Sequence, residues 1–197
     1  MGMRADTAVR EHYCLFETAI GPCGVAWTDD GLTRLQLPES SRDATERRLQ
    51  KRAGSTGPDL PPPPIRRAIT DLQSYMIGDR VDFAAVPIDW SGVSPFHLRI
   101  YQATRALGWG ETASYGEIAR RAGPPVVARA VGQAMSRNPV PVIMPCHRVL
   151  AAGRKIGGFS AHGGAVTKER LLALEGVRLA AEEPLLPGLF PAPQRWD

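Results

Sequence analysis

The chain has 197 residues, of which 43% are hydrophobic and 22% charged, a balance that excludes a wholly disordered chain. Its charge is uneven, because residues 91–197 carry 13 Lys and Arg against 7 Asp and Glu, whereas residues 1–90 carry 11 against 13. The sequence shows neither the roughly 20 apolar residues of a membrane span nor the apolar core of a signal peptide. A basic second half favours a polyanionic partner, although a solvated basic face on an ordinary enzyme explains the charge equally well.

The first half of the chain predicts an antiparallel sheet followed by two helices. Turn signals at Gly21-Pro22 and Asp29-Asp30-Gly31 separate three short apolar runs. The predicted strands cover 13–18, 23–28 and 32–37, and the predicted helices cover 41–52 and the stripe Ile65, Ile69, Leu72 and Met76. Residues 53–64 are rich in proline and glycine and predict a linker or long loop, and Val81 and Phe83 give a weak strand signal.

The second half predicts a mostly helical unit. Ser94-Pro95 is typical of a helix start, and Ser114 with Glu117 has the spacing of a capping box. A further helix over 126–136 follows across a tight turn, so the pair predicts a helix-turn-helix. We expect a last helix capped by Thr167 and ended by Gly176.

These elements predict an α+β fold with two domains. We expect an N-terminal domain over 1–90, a C-terminal domain over 91–179, and a proline-rich tail over 180–197.

The helix over 126–136 combines small side chains with one long cation. Ala128, Ala130, Gly132 and Ala134 surround Arg129. Tight packing in a core also favours small residues, but arginine is seldom buried without a partner, which favours close approach of this helix to another surface.

Cys146 is a candidate nucleophile, because His147 and Arg148 beside it offer a base and positive charge. The alternative is a buried, inert cysteine, which is the more usual case. Three cysteines cannot form a closed disulfide framework, so we expect a reducing, cytoplasmic compartment. His12, Cys14 and Cys23 lack zinc-site spacing, and we predict no metal and no cofactor.

Three segments resemble one known family: SYGEIARRAG, ARAVGQAMSRNPVPVIMPCHRVL and GGFSAHGGAVTKERLLALEG. From about residue 94 to 176 they are similar, in order and spacing, to the O6-alkylguanine-DNA alkyltransferases, also called methylated-DNA–protein-cysteine methyltransferases. The first half is similar only in its hairpin-then-helix layout. The resemblance implies a ribonuclease H-like N-terminal domain and a winged-helix-like C-terminal domain that carries DNA binding and alkyl transfer.

The resemblance also implies the chemistry. Cys146 would take the alkyl group of O6-alkylguanine, with O4-alkylthymine as a further candidate substrate. His147 would act as the base through a water molecule, and Glu175 would orient it. The thioether has no easy leaving group, so each molecule would react once.

The implied partner is double-stranded DNA bearing alkylated bases, bound through the minor groove with the damaged base flipped out. Arg129 would fill the vacated space, and Tyr115 would push the adjoining phosphate and donate a proton to the leaving base. A small-residue surface would let the helix backbone approach the groove, and a pocket would hold the base. We expect the surface to comprise Ala128, Ala130 and Gly132, and the pocket Asn138, Val149, Phe159 and Ser160, with Asn138 also tying the helix to the cysteine turn. We expect a monomer without an obligate protein partner or membrane, associated with the nucleoid in a bacterium.

The pocket loop departs from the family pattern. Phe159 stands where the family has tyrosine, and Ala161-His162 is an apparent two-residue insertion, which puts pocket size and substrate range in question.

Three other functions explain the sequence less completely. A non-catalytic alkyltransferase-like protein would lack Cys146. A Cys–His hydrolase would leave the Arg129 helix unexplained, and a plain DNA-binding regulator would leave Cys146, His147 and Glu175 unexplained.

Overall fold

The computed structural model describes residues 11–54 and 58–179, so the predicted tail over 180–197 lies outside the described residues. It has the predicted α+β composition, with a three-stranded antiparallel sheet and six helices. In chain order the elements are β1 (His12–Thr18), β2 (Gly21–Thr28), β3 (Gly31–Gln36), α1 (Arg42–Ala53), α2 (Pro63–Met76), α3 (Pro95–Arg105), β4 (Ala113–Ser114), α4 (Tyr115–Ala122), α5 (Ala128–Ser136), β5 (Val149–Leu150) and α6 (Gly164–Leu174). None of the helices in these described ranges is long and apolar enough to cross a membrane.

The antiparallel sheet has the order β1-β2-β3, and helices cover both of its faces. The central strand β2 is buried over its last six residues, and Gly24 lies where α1 crosses it. A Cβ at Gly24 would lie 2.6 Å from a methyl group of Leu49, so glycine is needed for this close approach. The opposite face packs on α2 and the main core.

Local capping signals fix the helices of the second half. The Ser94 hydroxyl accepts a hydrogen bond from the His97 N–H at 3.3 Å at the start of α3. The predicted capping box is present at α4, where the side chains of Ser114 and Glu117 each accept the other's backbone N–H. The helix-turn-helix is formed by α4 and α5, although α5 begins two residues later than predicted, because Val127 has an extended backbone.

The predicted linker over 53–64 is partly helical. Residues 55–57 of that segment lie outside the described residues. Its last two residues, Pro63 and Pro64, belong to the first turn of α2. Proline is tolerated there because the first N–H groups of a helix have no partner within the helix.

Two further local predictions are wrong. Val81 and Phe83 do not form a strand; Phe83 is a buried loop residue that packs on Tyr75. Thr167 does not cap the last helix, since α6 begins at Gly164 after Gly163 in a left-handed conformation. Thr167 lies inside the first turns of α6 and its hydroxyl donates to the His162 carbonyl at 2.6 Å. Gly176, with φ of 76°, follows the end of α6 as predicted.

One continuous hydrophobic core joins the two halves of the chain. It contains Val25 and Tyr75 from the first half together with Ile100, Val131 and Cys146 from the second. The domain boundary at residue 90 therefore stays a prediction. The shared core also brings α2 against the segment that carries Cys146.

Candidate active site

Cys146 opens a short 3-10 turn, Cys146–Arg148, and its side chain is held by Asn138, two residues after the end of α5. The Asn138 side-chain N–H donates to Cys146 Sγ at 3.0 Å and to the Met144 carbonyl at 2.8 Å. Asn138 Oδ1 accepts the Val140 N–H at 3.0 Å. These three bonds tie the segment after α5 to the cysteine turn and aim a hydrogen-bond donor at the sulfur.

His147 is fully buried and pairs with Glu175, just past α6. His147 Nε2 lies 2.7 Å from Glu175 Oε1. Because an ionised carboxylate can only accept hydrogen bonds, the proton of the neutral ring lies on Nε2. Within residues 11–54 and 58–179, Nδ1 makes no hydrogen bond, so its lone pair is available as a base.

The Glu175 carboxylate is the centre of a buried network. Arg148 donates to it from Nε at 2.9 Å and from Nη2 at 2.9 Å, and the Gly110 N–H donates at 3.1 Å. The Tyr75 hydroxyl donates to Oε1 at 2.7 Å. Burial alone would raise the pKa of Glu175, but the hydrogen bonds from His147 and Arg148 outweigh it and lower that pKa to about 2.

Burial also sets the protonation of the two reactive groups. It raises the pKa of the Cys146 thiol, although Asn138 and the charge of Lys168 act in the opposite direction. It lowers the pKa of His147, and the Glu175 carboxylate partly offsets this. The resting pair is therefore a neutral thiol beside a neutral imidazole.

Lys168 of α6 is a buried cation that the sequence did not indicate. Its ammonium donates to the Val149 carbonyl at 2.6 Å and lies 6.0 Å from the centre of the Tyr115 ring. Burial lowers the pKa of Lys168 to about 8. The burial of Lys168 could not be predicted from its position, because the apolar residues of α6 show little helical periodicity.

A cavity of about 230 Å³ opens over the sulfur. It is lined by Tyr115, Gly132, Met135, Ser136, Cys146, Gly158, Phe159 and Ser160. The structure thus brings together five of the predicted site residues: Cys146, Tyr115, Gly132, Phe159 and Ser160. Asn138 and Val149 do not line this cavity: Asn138 lies behind the sulfur, Val149 is fully buried, and their role toward a base stays a prediction.

The predicted insertion in the pocket loop contacts the first half of the chain. His162 Nδ1 lies 3.6 Å from Glu39 Oε2, just after β3. Ala161 and the half-buried Phe159 pack against the main core. The extra residues therefore lie between the cavity wall and the sheet.

The helix α5 has one face in the core and one exposed face. Val131, Ala134 and Met135 are buried, whereas Ala128 and Arg129 are exposed. Arg129 makes no hydrogen bond or ion pair within the described part of the chain. The small residues thus occupy both faces of α5, since Ala134 packs into the core and Ala128 is exposed.

Some of the cations in the basic half, residues 91–197, are held within the protein and are less available to a partner than the composition suggests. Arg148 is buried against Glu175, and Arg99 and Arg105 donate to backbone carbonyls. Exposed cations of this half include Arg120, Arg129, Arg137 and Arg154.

Comparison with known proteins assigns the family. Residues 95–177, which include α4, α5 and the cysteine turn, match the sequence model described as 6-O-methylguanine DNA methyltransferase, DNA binding domain. The methylated-DNA–protein-cysteine methyltransferase of Mycobacterium tuberculosis is 36% identical over 171 residues, which are 87% of this chain and 96% of that protein. The constitutive enzyme of the same name from Bacillus subtilis is 31% identical over 87% of this chain and 98% of its own length.

This chain belongs to the methylated-DNA–protein-cysteine methyltransferase family.

Solved structures agree with the family assignment. The crystal structure of Mycobacterium tuberculosis OGT in complex with DNA is 35% identical, covers 83% of this chain and 92% of its own, and has a TM-score of 0.65. The O6-methylguanine-DNA methyltransferase of Pyrococcus kodakaraensis is 25% identical, covers 85% and 99%, and has a TM-score of 0.63. The matches extend beyond the DNA-binding segment, so the first half, which resembled the family only in layout, shares the methyltransferase fold as well.

Proposed function

We propose that this methyltransferase repairs DNA by moving the alkyl group of O6-alkylguanine onto Cys146 in a direct, irreversible, single-turnover reaction. The observation that carries the proposal is the Cys146 thiol in the wall of a cavity, beside a buried His147–Glu175 pair. The relatives named for transfer from methylated DNA to a protein cysteine support the same reaction here.

The transfer is a nucleophilic displacement at the alkyl carbon. The Sγ–C bond forms as the bond between that carbon and guanine O6 breaks. The thiol proton passes through a water molecule to Nδ1 of His147, and the Tyr115 hydroxyl donates a proton to the leaving base. Guanine is restored, and the thioether offers no easy leaving group, so the protein is consumed.

His147 and Glu175 support proton removal as a pair. Because both thiol and imidazole start neutral, the transfer requires an imidazolium to form next to Glu175. The carboxylate stabilises that cation and holds Nδ1 as the basic nitrogen, as in a hydrolytic triad. The Asn138 N–H, 3.0 Å from the sulfur, stabilises the thiolate as it develops.

DNA binding by the exposed face of α5 brings the damaged base to this cavity. A base inside a duplex is out of reach of the buried sulfur, so it must be flipped out of the stack. Ala128, Ala130 and Gly132 allow close approach to a minor groove only about 6 Å wide. Arg129, exposed and without a partner in the described residues, enters the stack in place of the base.

Intact-mass spectrometry tests the proposal. The protein is mixed with a duplex oligonucleotide containing O6-methylguanine, and we expect every active molecule to gain one methylene, located on the peptide that contains Cys146. Cys146→Ser should bind the same duplex and leave it unrepaired.

Cys14→Ser and Cys23→Ser are the matched controls, because burial raises the pKa of these thiols to about 11 and about 12. Both variants should react like the wild type. Label on either of these cysteines, or repeated turnover by one molecule, would contradict the proposal.

A further inference from the structure

Tyr75 brings a hydroxyl group from α2 into the buried network around Glu175. Its side chain is fully buried, and the hydroxyl lies 2.7 Å from Glu175 Oε1 and 3.2 Å from His147 Nε2. The two contacts span 100 and 72 residues of sequence. Within the described residues, the hydrogen bonds that reach Glu175 from the first half of the chain come from Tyr75 alone.

The direction of these hydrogen bonds follows from the chemistry of the carboxylate. Glu175 is ionised and can only accept, so both the Tyr75 hydroxyl and His147 Nε2–H donate to the same oxygen. A phenol that donates to Glu175 cannot also donate to Nε2. Nε2 must then carry the ring proton, and Nδ1 is left as the basic nitrogen.

The Tyr75 ring is fixed by its neighbours. It packs edge-on against Trp109 with centroids 5.5 Å apart and against Phe83 at 5.7 Å, and its edge faces the His147 ring at 6.3 Å. Burial raises the pKa of Tyr75, so the phenol stays a neutral donor. The hydroxyl has one position available, and it lies on the carboxylate oxygen that His147 uses.

We infer that Tyr75 is a positioning residue for alkyl transfer, which holds Glu175 and thereby fixes the ring orientation and tautomer of His147. This inference rests on the proposed function. The titratable and charged groups that face His147 are Glu175, Arg148, Lys168, Cys146 and Tyr75 itself. Through Tyr75, the half of the chain outside the matched DNA-binding segment acts on His147, the general base.

Tyr75→Phe tests the inference, because it keeps the ring packing and removes the hydroxyl. Single-turnover transfer from O6-methylguanine duplex would be followed between about pH 6 and pH 9. General-base catalysis contributes about 10²- to 10⁴-fold, and we expect a base that is less well held to lose about tenfold near neutral pH. The carboxylate, with one donor fewer, would hold the imidazolium more strongly, so the rise of rate with pH should move to higher pH.

Tyr13→Phe is the matched control. Its hydroxyl is also buried, donates to Glu46 at 3.0 Å and accepts from Gln50, but it lies on the other side of the sheet in a separate cluster. We expect wild-type rates and an unchanged pH profile for this variant. A Tyr75→Phe profile that coincides with the wild type, or falls equally at every pH in step with lost stability, would overturn the inference.

Two further measurements separate the inference from the proposed function. If the wild type does not transfer the methyl group, the proposed function fails. The inference can still be tested, because the pH dependence of Cys146 alkylation by iodoacetamide, resolved by peptide, shows whether Tyr75→Phe shifts the pH at which the Cys146–His147 pair becomes reactive. If Tyr75→Phe does not fold, ¹⁵N-histidine spectra of the wild type decide, with His147→Asn to assign the signal. A ring protonated at Nε2 is the tautomer that the inference requires, and a ring protonated at Nδ1 would refute it.

Discussion

Replacing Glu175 by glutamine should remove the stabilisation that the buried network gains from a full negative charge. The Glu175 side chain accepts hydrogen bonds from His147, Arg148, Gly110 and Tyr75, and the residue is 5% exposed. Its pKa falls from 4.5 to about 2 on folding. At about 1.4 kcal/mol for each pH unit, this corresponds to about 3 kcal/mol at neutral pH. Removing one partner of a buried ion pair costs about 3–5 kcal/mol, which agrees, because Glu175→Gln leaves Arg148 unpaired.

The sign of the pH dependence follows from the lowered pKa. The contribution of Glu175 is complete above its unfolded pKa and is lost as pH falls toward its folded pKa of about 2. The difference in free energy of unfolding between wild type and Glu175→Gln should therefore be about 3 kcal/mol at pH 7 and shrink almost to zero near pH 2.

Urea denaturation followed by tryptophan fluorescence at a series of pH values measures this difference. Glu111→Gln is the control, because Glu111 is an exposed carboxylate paired with Arg121, and such surface pairs are worth less than about 1 kcal/mol. A Glu175→Gln variant as stable as the wild type at pH 7, or a stability difference that does not change with acid, would refute the reasoning.

Three further predictions concern DNA and substrate. Binding to undamaged duplex should weaken steeply with salt, with a log–log slope near −0.9 per phosphate neutralised. Arg137→Ala should reduce the magnitude of this slope by about one phosphate contact. A slope near zero in a salt titration would show that the basic face does not contact DNA. Arg129→Ala should slow single-turnover repair of duplex but leave the reaction of free O6-benzylguanine unchanged. Arg129→Lys should restore only part of the duplex rate, because an ammonium stem stacks less well than a planar guanidinium. Equal losses on both substrates would place Arg129 in folding instead. Deleting Ala161 and His162 together should change the ratio of methyl to benzyl transfer rates, since these residues separate the cavity wall from the sheet, whereas an unchanged ratio would show that the insertion is neutral.

Signals confined to a few neighbouring residues could be predicted from the sequence. The capping box of α4, the Ser94 cap of α3 and the glycine after α6 depend on contacts three or four residues apart, so the residue types reveal them. The same holds for the turns between the first three strands. The predicted Thr167 cap is wrong, because α6 begins three residues earlier and the Thr167 hydroxyl, inside the helix, donates to the His162 carbonyl that precedes it.

In the candidate site too, residues with a local motif could be predicted and residues brought in by long-range contacts could not. Cys146 and His147 could be proposed from their own motif, and Glu175 from its resemblance to a family motif, but nothing near Tyr75 or Lys168 in the chain pointed to the site. Tyr75 stands next to Met76, the last residue of the predicted apolar stripe, and was not itself part of that stripe. Its role depends on a contact across 100 residues, and only tertiary packing creates such a contact. The sequence by itself determined the caps of α3 and α4, the candidate nucleophile and its neighbouring base. The tertiary structure decided what surrounds the nucleophile and the base, because burial and long-range hydrogen bonds set the charge and orientation of those groups.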